Sequence, residues 1–105
     1  MFNMNKIGKI SGVSYHELIF RVHAIERMFE RDISEVEIRD VLENGKMIES
    51  YPDDAPFPSR LMLGWCDGRA VHVLASDDSD NQITVIITVY EPDLARWDAT
   101  FTRRR

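Results

Sequence analysis

Apolar residues recur at helical spacing in residues 23–31, "HAIERMFER". With His23 at 0° and ~100° per residue, Ala24, Ile25, Met28 and Phe29 cover an arc of roughly 100–240°. Arg27 and Arg31 fall near ~40° and ~80°, and Glu26 and Glu30 near ~300° and ~340°. The segment therefore reads as a helix with apolar, acidic and basic stripes, the basic one bordering the buried face. A second helix is expected over 35–44. Ser34 and Glu37 form a capping box, Ile33 and Ile38 a hydrophobic staple, and Asn44-Gly45 a left-handed stop.

After Gly45 the period changes to two. Strands are expected at 46–51, 60–66, 69–75 and 82–90, with a proline-containing loop at 52–59 and turns at Asp67-Gly68 and 76–81. "ELIFRV", 17–22, reads as a strand, with a backward extension of the first helix as the alternative. "DLARWDATF" suggests one short helix, and Arg103–Arg105 a frayed tail. Helices followed by a meander predict an α+β fold: two N-terminal helices packed on one face of a mainly antiparallel four-stranded sheet. The domain is expected to span 17–105, with 1–16 as a loosely ordered N-terminal extension.

Strand alternation places Ile83, Val85, Ile87 and Val89 on one side of 82–90, and Thr84, Ile86, Thr88 and Tyr90 on the other. In 69–75, Val71, Val73 and Ala75 form the apolar set. If both apolar sets face the helices, His72, Thr84, Thr88 and Tyr90 share the opposite face.

Charge narrows the chemistry. The chain has 105 residues and a net charge of −5, which disfavours a general nucleic-acid binder. Its 13 basic residues comprise ten arginines and three lysines, and arginine's planar fork suits phosphate and carboxylate. One cysteine, Cys66, excludes an intrachain disulfide and fits a reducing cytoplasm. No apolar run reaches membrane-spanning length, and the N-terminus lacks signal-peptide features. The three histidines and single cysteine show no metal-ligand spacing, so no metal or cofactor is expected.

The candidate chemistry lies in the His23–Arg27–Arg31 stripe. Metal-independent RNA cleavage needs a proton acceptor for the 2′-hydroxyl, a proton donor for the leaving oxygen, and cations on the phosphate. His23 suits acid or base work, Arg27 and Arg31 the anionic oxygens, and Tyr90 a proton transfer or base stacking. Arg60, His72 and Thr88 are candidate substrate-binding residues. The plain alternative is a solvated helix face with local Glu–Arg pairs.

Three blocks, "HAIERMFERDIS", "VLENGKMIESYPDD" and "TVYEPDLARWDATFTRRR", resemble the family called domain of unknown function 4258, over about residues 20–105. That family is similar to the barnase–colicin–RelE-like ribonuclease toxins. The resemblance implies a RelE-like fold, RNA cleavage without metal, and a zinc-finger or DNA-binding antitoxin as partner. The competing expectation is a non-catalytic interaction module that binds an acidic partner or a second copy of itself.

Overall fold

The computed structural model describes residues 17–105; the expected extension over 1–16 lies outside the described residues. The order is β1 (Glu17–Phe20), α1 (Val22–Arg31), α2 (Glu35–Asn44), β2 (Lys46–Tyr51), β3 (Ser59–Cys66), β4 (Arg69–Asp78) and β5 (Ile83–Tyr90). The sheet order is β1-β5-β4-β3-β2. The sheet is thus five-stranded and mixed, not four-stranded. "ELIF" pairs in parallel with β5, and the helix starts two residues later at Val22.

Ala24, Ile38 and Val41 from the helices and Ile33 from the link between them meet Met62, Cys66, Val71, Val73, Ala75, Ile86 and Val89 from one sheet face. The capping box of α2 is present: Ser34 Oγ accepts from the Glu37 N–H at 3.1 Å, and Glu37 accepts from the Ser34 N–H at 2.9 Å. Ser34→Ala is expected to cost about 1 kcal/mol in chemical denaturation, with Ser34→Thr recovering most of it. The Asp67-Gly68 turn has positive φ at both residues, as a two-residue hairpin requires.

Two local expectations change. Gly45 is extended, with φ −80° and ψ −174°, so it is not a left-handed stop. A Cβ there would lie 2.4 Å from the Val41 carbonyl oxygen and 2.5 Å from that of Leu63, so close backbone approach demands the glycine. The left-handed cap belongs instead to Asp32, at the end of α1.

The second change concerns β5. Leu74 pairs with Thr88 but Ala75 with Ile86, leaving Ile87 as an extra residue. Alternation flips across this bulge. Ile86 and Val89 therefore both enter the helix-side core, although they lie three residues apart. His72, Thr88 and Tyr90 share the opposite face, whereas Thr84, paired with Asp77, turns to the helix side.

That opposite face is not open. Residues 91–105 form a strap of turns across it, rather than a short helix and a frayed tail. Trp97 is buried and bridges to Arg104, and the backbone N–H of Asp98 donates to the Arg103 carbonyl at 2.8 Å. Arg104 reaches Glu49 of β2 at 3.0 Å. Among the described residues, no helix is long and apolar enough to cross a membrane.

Candidate functional site

One residue fixes the end of α1 beside the end of β5. Arg69, the first residue of β4, donates to the Arg31 carbonyl at 2.6 Å and to the Asp32 carbonyl. It also pairs with Glu91 at 3.0 Å and Glu37 at 3.5 Å. Five potential donors in a rigid plane let one arginine join a helix end, a second helix and a strand end. The basic stripe of α1 is thereby set against Tyr90.

The result is a cleft of about 420 Å³ lined by Arg27, Arg31, Tyr90, Glu91, Pro92, Asp93, Arg96, Trp97 and Arg104. Four guanidinium groups face two carboxylates, and both carboxylates are occupied. Glu91 holds Arg69, and Asp93 accepts from the backbone N–H groups of Ala95 and Arg96 at 2.9 and 3.1 Å. Arg27 pairs with Glu30 at 2.5 Å in an exposed contact, which is worth a few tenths of a kcal/mol and is readily exchanged. Arg104 is more firmly held: it takes both oxygens of Glu49, at 3.0 and 3.2 Å, and stacks 4.6 Å from the Trp97 ring centroid. The side chains of Arg31 and Arg96 make no hydrogen bond or ion pair among the described residues. An acidic protein thus presents a local cationic site with two uncommitted arginines.

Below the cleft, Tyr90 meets His72. The His72 Nε2 lies 2.9 Å from the Phe101 carbonyl oxygen, which can only accept, so Nε2 carries the proton. Nδ1 is then the acceptor, and the Tyr90 hydroxyl donates to it at 3.1 Å. His72 is completely buried, under the edge-on ring of Trp97 at 4.5 Å. Burial pushes its pKa down, against the Phe101 hydrogen bond and the Glu49 charge, and keeps it neutral. Burial pushes the Tyr90 hydroxyl up. Burial also raises the Glu49 carboxyl, but hydrogen bonds from Arg104 and Tyr51 outweigh this and hold it below the usual range.

The expected residues are divided by the fold. Arg27, Arg31 and Tyr90 meet in the cleft. His23 lies in the first turn of α1, about 12 Å of helix rise from Arg31, and does not line it. Arg60 is at the other end of the sheet, bound to Asp77 at 2.7 and 3.2 Å. Thr88 pairs with Leu74 and is not part of the lining. His72 lies beneath the cleft, hydrogen-bonded to Tyr90. Arg96, Trp97 and Arg104 are not singled out by spacing. The sequence signal for them was the "RWDATFTRRR" stretch, whose aromatic and arginine content exceeds what a tail needs.

A family model described as Domain of unknown function (DUF4258) matches residues 20–91. No curated protein and no solved structure matches the chain.

Proposed function

The chain belongs to the DUF4258 family, and from that premise we propose that its arginine cleft binds an RNA phosphodiester and cleaves it without metal. The observation that carries this is the convergence of Arg27, Arg31, Arg96 and Arg104 on Tyr90, with Arg31 and Arg96 uncommitted. Uncommitted arginine forks beside an acid–base group are what phosphoryl transfer without metal requires.

In this reading the 2′-hydroxyl attacks phosphorus and the 5′-oxygen leaves. The 2′ proton passes to the Tyr90 oxygen while Tyr90 hands its own proton to His72 Nδ1. The neutral, buried His72 is the resting state such an acceptor needs. The leaving 5′-oxygen takes a proton from water, and the products are a 2′,3′-cyclic phosphate and a 5′-hydroxyl. The imidazolium then returns its proton through Tyr90 to the hydroxide left by that water. A RelE-like toxin role, a cytoplasmic location and an antitoxin partner belong to the same proposal.

The test is cleavage of labelled RNA by purified protein in chelator. Tyr90→Phe is expected to slow it at least about a hundredfold. With 2′-O-methyl RNA, which cannot react, Arg31→Ala and Arg96→Ala should each flatten the salt dependence of binding by about 0.7 in log–log slope. Wild-type protein that neither binds nor cleaves RNA overturns the proposal, and His23→Ala abolishing cleavage moves the proton acceptor from Tyr90 to His23.

One observation favours the second reading, an interaction module. Val22 and Phe29 of α1 and Val36 of α2 are 71%, 85% and 76% exposed, large apolar side chains that the helix–sheet core leaves bare. A partner-dependent complex with no nuclease activity would select it.

A further inference from the structure

A second depression, of about 730 Å³, lies at the same end of the sheet as the arginine cleft, between the C-terminus of α2, the start of β2 and the strap. Trp65, next to last in β3, opens into it and is 55% exposed, with Phe101 edge-on at 6.0 Å. Asp40, Asn44 and Lys46 supply its polar wall. Its charge pattern is unlike that of the arginine cleft. The Asp40 carboxylate and the C-terminal end of the α2 dipole make one side electronegative. A phosphate is disfavoured there, whereas a flat ring with N–H donors on its edge is favoured.

We propose that this groove is a nucleobase site. It stacks a base on Trp65 and reads a donor edge, best matched by guanine, at Asp40. Asn44 Nδ2 already donates to Asp40 Oδ1 at 2.7 Å, which orients the carboxylate and leaves Oδ2 and the second lone pair of Oδ1 to accept from the base. Guanine presents two adjacent N–H donors to such a group, and uracil presents one. The inference rests on the phosphodiester reading of the arginine cleft, and the sheet geometry links the two. Tyr90 lies opposite His72, and Trp65 opposite Ala70, two residues earlier in β4. Two strand spacings and two residues of rise separate Trp65 from Tyr90 by about 12 Å. That is roughly three to four stacked nucleotides of one strand, and fewer if the strand is extended. The strap between them contributes Arg96 and Arg104 to one site, and Thr100 and Thr102 to the other. One RNA strand lying across the strap would occupy both.

The experiment measures binding of 2′-O-methyl pentamers UGUGU and UUUUU to the full chain by fluorescence anisotropy. Wild type is expected to prefer UGUGU. Trp65→Ala should weaken both pentamers roughly tenfold, the size of one lost stacking contact. Asp40→Asn should remove the preference while keeping most of the affinity. Both positions are exposed, and circular dichroism checks that the variants fold. If Arg31→Ala weakens binding and Trp65→Ala does not, the base site is overturned and the phosphate cleft stands. Equal binding of the two pentamers by wild type overturns the donor-edge assignment. Absence of binding to either pentamer overturns the cleft reading and this one together.

Discussion

Trp97→Ala is expected to destabilise the protein by about 3–5 kcal/mol, the range for removing a buried tryptophan. The ring is 3% exposed and lies far from the helix–sheet core. It seals the other face of the sheet: its edge meets His72 and its face carries the Arg104 guanidinium. Loss of the ring removes apolar burial and frees the strap at its one buried anchor. Arg96 and Arg104 reach the cleft only because residues 91–105 are held down. The variant should therefore also lose RNA affinity, although Trp97 need not touch phosphate. Chemical denaturation and salt-dependent binding measure the two effects. Trp65→Ala is the control, because an exposed side chain of the same type should change stability by no more than about 0.5 kcal/mol. Equal stability of the two variants would show that the strap is not anchored by Trp97.

The contrast between these tryptophans shows what sequence could and could not reveal. Trp65 sits in a stretch of strand period, whereas Trp97 sits among polar neighbours with no simple period. Burial of Trp97 depends on the strap returning to the sheet, a non-local event with no local signature. The same holds for Arg69, whose partners at Arg31, Glu37 and Glu91 lie 22 to 38 residues away in sequence. Features encoded within a few residues were legible. The capping box of α2, the Asp67-Gly68 hairpin and the three-stripe helix each follow from short-range spacing. The bulge at Ile87 was not legible, because the apolar run Val85-Ile86-Ile87 in "QITVIITVY" fits either phase of alternation and only the pairing with β4 expels a residue. That single extra residue moved Thr84 to the helix side, while His72, Thr88 and Tyr90 stayed together. Half of the candidate site was thus visible as the arginine stripe and Tyr90. The other half, Arg96 and Arg104, lay in stretches that read as a short helix and a frayed tail.

His72 carries the second large effect, and it is pH-dependent. In the fold, burial lowers the histidine below its ordinary value of 6.5, so the unfolded chain binds a proton more readily than the native site. Stability from this group is full above about 6.5. It is lost as pH falls through that value, and levels off once the native imidazole also protonates. The slope cannot exceed about 1.4 kcal/mol per pH unit for one proton. Glu49 and Asp98 are also shifted down, but from ordinary carboxylate values, so their contribution is lost only at more acidic pH. Denaturation between pH 7.5 and 5.5 therefore isolates the histidine. His72→Phe keeps a ring against Trp97 but leaves the Tyr90 hydroxyl and the Phe101 carbonyl without their partner. Each stranded group costs about 1–3 kcal/mol, so the variant should be less stable at pH 7.5 and lack the wild-type slope down to 5.5. A variant that keeps the slope would show that another group titrates. The same variant bears on chemistry. With His72 gone, Tyr90 has nowhere to pass its proton, so cleavage should fall even at a temperature where the variant is fully folded. Binding of unreactive RNA, which depends on the arginines, should survive. A loss of cleavage and binding in parallel would mean that His72 only holds the strap in place.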